Sequence, residues 1–220
     1  MMGVTGMIDA GLDNWLSEWS LSMACDWTSQ WQCEGAFRKA ARTVGMGGPL
    51  PPIWRVKVLN NEKPLAIGMC EAKGISVVQH TGESAEVYIH ELAHWLWRGD
   101  DKFGWGHNVI FAALCWRLLL RAGHSSADIM KDAQYDLGRR ERPGDTPATD
   151  AERAWAIKWA WGRDNPHVSA EALADLVVRD YRRWQAWQDW KARAADNALS
   201  LLRFAIALAL AAPEILSRLV

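Results

Sequence analysis

The chain has 220 residues, half of them hydrophobic, with 25 basic and 26 acidic side chains and a formal charge of −1. That length and apolar content suit one moderate core, or a catalytic domain with an appendage. Nothing in this near-neutral balance demands nucleic acid or an anionic membrane as a partner. The four cysteines, Cys25, Cys33, Cys70 and Cys115, make no C-x-x-C pair, which rules out a zinc ribbon. No basic stretch followed by an apolar run opens the sequence, so the expected compartment is the reducing cytoplasm.

Residues 8–44 carry apolar positions every three or four residues and few breakers, which predicts N-terminal helices. Trp15, Trp19, Trp27 and Trp31 fall there in a doubled W-x-S-[E/Q]-W pattern, and aromatics at helical spacing are expected mainly to pack. "GMGGPLPP" at 45–52 is a loop. Three strand candidates follow at 53–59, 65–70 and 74–79: the first alternates apolar with basic residues, and turn residues separate them. The last of these is expected to offer an edge to an extended peptide.

The next predicted helix, 83–98, contains "VYIHELAHWLW". At about 100° per residue, His90 and His94 share one face with Glu91 beside them, while Tyr88, Ile89, Leu92 and Leu96 gather opposite. A helix apolar nearly all round is buried, and a buried carboxylate needs a partner or a metal. H-E-x-x-H on a helix therefore reads as two zinc ligands with Glu91 as general base. Glu86, one turn before His90, is a candidate acceptor behind that ligand. "GDDKFGWG" at 99–106 is a loop, and a second helix is predicted at about 107–122, closed by Gly123.

A catalytic zinc takes three protein ligands. His107 begins a stripe of Phe111, Leu114 and Leu118 that should face the core, so it is the leading third ligand. Asp100, Asp101, Asp128, Asp132 and Asp136 are the rivals. His80, His124 and His167 lack any partner pattern and are expected to be structural or exposed, and Tyr135 is a distant candidate for oxyanion support.

"HELAHWLWRGDDKFGWGHNVIF" resembles the SprT-like and related minimal zincin metallopeptidases, which pair H-E-x-x-H with a downstream H-G-x-x-F. His107 and Phe111 match that second frame, and Asn108 stands where the family has glycine. The resemblance covers about residues 50–123 and implies a small sheet beside two helices, with the histidine of the second frame as third ligand. "HNVIFAAL" is also similar, more distantly, to the end of a segment in the ImmA/IrrE-type regulatory peptidases.

Farther on, "GRRERPGDTPATD" at 138–150 is a linker, Thr149 and Glu152 form a T-x-x-E capping box, and Ser169 caps a helix running through Trp184, Trp187 and Trp190. The tail from 198 to 220 is the most apolar stretch; Arg203, Pro213 and Glu214 interrupt it, so packing on the body or a partner is expected ahead of membrane contact.

The expected architecture is α+β: a zincin-like domain at 1–137 with N-terminal helices 8–44, a three-stranded sheet within 53–79 and metal helices within 83–122, then the 138–150 linker and a helical, Trp-rich extension at 151–220. The expected activity is zinc-dependent hydrolysis of peptide bonds in a protein or peptide substrate. The competing expectations are an inactive zincin-fold binding module with a partner on its Trp-rich helices, and a regulatory or DNA-associated peptidase with one protein target. The charge balance gives the nucleic-acid version little support.

Overall fold

The computed structural model describes residues 23–25, 30–58, 68–71, 73–78, 84–97, 107–130 and 148–217. It is mainly helical with one small mixed sheet, an α+β arrangement. The elements are β1 (Met23–Cys25), α1 (Gln30–Thr43), β2 (Ile53–Val58), β3 (Gly68–Glu71), β4 (Gly74–Val78), α2 (Ala85–Leu96), α3 (Val109–Arg121), α4 (Asp150–Ala160) and α5 (Ala170–Ser217). A helical turn at 126–130 follows α3.

Among the described residues the sheet has four strands in the order β1-β2-β4-β3, one more than the three expected from the sequence. The additional strand lies inside the stretch expected to be helical: Met23–Cys25 pairs antiparallel with β2, Met23 opposite Val58. Three residues are too few to display a period, and the pairing partner lies more than thirty positions away, so local patterning carries no sign of it. Of the predicted span 8–44, Gln30–Thr43 is helical as α1, Met23–Cys25 is strand, and 8–22 and 26–29 fall outside the described residues.

β2 and β4 run parallel with Ile53 opposite Ile75, and β3 pairs antiparallel with β4, Cys70 opposite Ile75. β4 is therefore central, and all five of its residues are buried. This corrects the expectation that 74–79 offers a free edge; the edge beside it is β3. A strand buried on both faces reads as a largely apolar run, as "GISVV" does with Ser76 its single polar residue. Gly74 is required where β4 begins: a Cβ there would collide with the Pro52 carbonyl oxygen and come within 2.6 Å of the Trp54 ring. The same approach lets Ile75 N–H donate to Pro52 O at 2.8 Å.

Two helices cover the sheet. α1 packs on β2 and on α2, while α2 packs on β3 and β4. The Gln30 side chain ties α1 to β2, donating to Ile53 O and accepting from Arg55 N–H. α3 lies against α2 and carries α4 behind it. The core between them holds Phe37, Tyr88, Ile89, Leu92, Ile110, Leu114 and Leu118, each 2 % exposed or less. Full burial of one such side chain stabilises the fold by about 1.5–3 kcal/mol.

Arg117 and Arg121 of α3 meet Asp164 in the connection after α4. Arg121 donates from Nε at 2.8 Å and from Nη2 at 2.9 Å, and Arg117 Nη1 lies 3.4 Å away. Arg121 also donates to the carbonyl oxygens of Val168 and Asn165, and Arg117 to that of Trp159. The Thr149–Glu152 capping box opens α4 as expected, and Ser169 Oγ accepts from Ala172 N–H at the start of α5.

The chain divides into two compact units, Met1–Val177 and Val178–Val220. Most of the expected 138–150 linker lies outside the described residues. In the second unit the helix stacks Tyr181 on Trp184 with ring centroids 5.6 Å apart and sets Lys191 Nζ over the Trp187 ring at 4.1 Å. Trp187, Trp190, Leu201, Leu202 and Phe204 are all more than half exposed, so the two later tryptophans of the triplet do not pack as expected. Among the described residues no helix is long and apolar enough to cross a membrane.

Candidate metal centre

Two capped helices bring the candidate ligands together. Ser84 caps α2, accepting from Val87 N–H at 3.2 Å, and sets the helix that carries His90, Glu91 and His94. Asn108 caps α3, its side-chain oxygen accepting from both Ile110 and Phe111 N–H at 3.0 Å. His107 precedes that cap directly and so projects from the mouth of α3 toward α2.

His107 Nε2 lies 2.9 Å from His90 Nε2 and 3.0 Å from His94 Nε2. The three ligand atoms all fall within 4.8 Å of one another, and each ring is half-buried. Hydrogen bonding alone does not account for this convergence. An imidazole nitrogen has one in-plane position, holding either a proton or a lone pair, so His107 Nε2 satisfies one neighbour and opposes the other. A cation among the three accepts every lone pair at once. Tetrahedral zinc, at about 2.0–2.1 Å from each nitrogen, separates its ligand nitrogens by about 3.3 Å, close to the spacings present. The donor set and its geometry fit a divalent metal.

Burial sets the protonation states. It holds His94 far below the usual imidazole range, to about 2, with the positive charge of His90 and His107 adding to the effect. His94 is thus neutral, as a ligand must be. Burial alone pushes the Glu91 carboxyl up to about 8, and the residue is 5 % exposed. A carboxyl in that state is adapted to a nearby positive charge, which favours its ionised form.

The structure brings His90, His94 and His107 together, and among the described residues no rival carboxylate joins them. Asp128 hydrogen-bonds Ser125 in its own turn, while Asp100, Asp101, Asp132, Asp136, His80 and Tyr135 lie outside the described residues. Glu86 is largely exposed, and its Oε1 meets His124 Nδ1 at 3.2 Å; that pairing was not anticipated. His167 is exposed. Sequence reasoning also missed the role of Phe111 at the centre. Its ring stacks on His94 with centroids 4.0 Å apart, and lies 5.1 Å from the His90 ring and 4.8 Å from that of His107. The H-x-x-x-F spacing was its available signal, since it sets the phenyl one turn below His107.

Compared with known proteins, the chain matches no family model, no curated protein and no solved structure, and the functional reading rests on the geometry just described.

Proposed function

We propose that the chain is a zinc-dependent metallopeptidase of the zincin type, as its resemblance to SprT-like enzymes implies. The observation that carries this reading is the convergence of His90, His94 and His107 through their Nε2 atoms. These three residues hold the zinc, and Glu91 is the general base. Zinc held there supplies a Lewis acid for the scissile carbonyl and acidifies water. Glu91 removes the proton from the attacking water and returns it to the departing amine. Its position next to His90 on the same helix supports this role, and burial excludes competing solvent from the carboxyl.

The substrate on this reading is an extended peptide. Among the described residues β3 is the outer strand next to β4 and packs against α2, the helix that bears Glu91, and addition of a strand alongside a sheet is an established mode of peptide docking. Cytoplasmic residence belongs to the same proposal.

Metal analysis and a peptidase assay on purified protein test the reading together. Wild type should carry one zinc per chain, and His90→Ala and His107→Ala should lose it. Glu91→Gln should keep the zinc and lose about 10²–10⁴-fold in turnover. Equal zinc in all variants refutes the metal site, and undiminished cleavage by Glu91→Gln refutes the assigned base.

A further inference from the structure

Phe111 meets every ring of the triad. Its face lies on His94 at an interplanar angle of 16°, it meets His90 edge-on at 72°, and it is inclined by 33° to His107. The phenyl is 1 % exposed and belongs to the first turn of α3, whose amides Asn108 fixes. A ring held so firmly leaves His94 no room to swing about its Cβ–Cγ bond without displacing core. It limits His90 and His107 in the same way from their other sides.

From this arrangement we propose that Phe111 is a positioning residue that sets the affinity and coordination geometry of the three-histidine site; the inference rests on the metal reading above. Two physical effects act in one direction. The three imidazoles are confined before the cation arrives, so less side-chain freedom is lost on binding. An imidazole that gives its lone pair to a cation also becomes electron-poor, and the phenyl face is electron-rich. The stacked contact is therefore stronger in the loaded site than in the empty one, and that difference adds to affinity. An aliphatic side chain of similar burial fills the space but supplies neither a flat wall nor that difference.

The test uses the full chain as wild type, Phe111→Leu, Phe111→Tyr and Leu114→Ala. Leu114 is fully buried on the same helix and is not one of the ligands or of the rings packed on them, so its loss reports on core packing. Zinc affinity is read by competition with a chromophoric chelator, and geometry by the visible absorption of the Co²⁺-substituted protein, well below the melting temperature of each variant. Phe111→Leu should bind zinc ~10–100-fold more weakly, the range found for groups that orient metal ligands, with altered Co²⁺ bands. Phe111→Tyr should stay close to wild type in both readouts, and Leu114→Ala should be less stable yet bind as wild type does. The inference is overturned if Phe111→Leu binds as tightly as wild type with an unchanged Co²⁺ spectrum. It is also overturned if Leu114→Ala weakens binding as much as Phe111→Leu, or if a folded Phe111→Tyr loses as much affinity. Failure of wild type itself to bind either metal removes the metal reading and is distinguishable from all of these results.

Discussion

At the scale of single residues, Asn108 shows how a departure from the pattern that the sequence resembles is absorbed. In the SprT-like frame that position is glycine, and both asparagine and glycine are favoured where a helix begins. Here the side chain takes on the Ile110 and Phe111 amides, which would otherwise lack partners at the helix start. Asn108→Ala should therefore cost about 1 kcal/mol in chemical denaturation, while Asn108→Gly should cost only a few tenths. Equal losses from the two substitutions would mean that the cap contributes little. Glu91 illustrates a different constraint. Its carboxyl is desolvated on an apolar helix and is raised to about 8 without any contribution from a partner, which a purely structural role would not favour.

At the scale of elements, α3 is held at both ends: by Asn108 at its start, and near its close by the Arg117 and Arg121 clamp on Asp164. Burial raises the Asp164 carboxyl, but hydrogen bonding and charge from Arg121, then charge and hydrogen bonding from Arg117, outweigh it and hold the group below the usual carboxylate range. A folded-state value below the unfolded one of about 3.9 means that ionised Asp164 stabilises the fold above that pH. The contribution is lost as pH falls through the folded value. Asp164→Asn should lower stability by about 1–3 kcal/mol at neutral pH and shallow the acid-side decline below about pH 4. Denaturant titrations of both proteins across pH 3–7 check the sign, and parallel acid limbs would exclude Asp164 as their cause.

The elements also separate what local pattern reveals from what it does not. α2 and α3 lie within two residues of their predicted bounds because caps, apolar stripes and terminal glycines all agree at those places. The triad was legible for the same reason: H-E-x-x-H fixes two rings by helical geometry, and His107 begins the stripe that faces them. β1 and the central place of β4 were not legible, since strand order depends on partners distant in sequence. The clamp on Asp164 and the pairing of Glu86 with His124 belong to that same non-local class.

At the scale of the whole molecule, the second unit presents Leu201 and Phe204 at 70 % and 67 % exposure, with Trp190 at 63 %. Apolar surface of this kind favours association or adsorption. Changing Leu201 and Phe204 together to Gln should reduce fluorescence of an apolar dye and raise solubility, with zinc content unchanged. Unchanged dye binding would locate the sticky surface elsewhere. The triad has a consequence of its own. His94 lies on α2 and His107 directly before the cap of α3, so an ion gripped by both acts as a removable rivet between the two helices. Saturation at a hundredfold excess over the dissociation constant adds about 2.7 kcal/mol to stability, and chelation should lower the melting temperature accordingly. On the proposed reading, the protein's endurance then follows the free zinc around it: scarcity would silence its chemistry and loosen its frame in a single event.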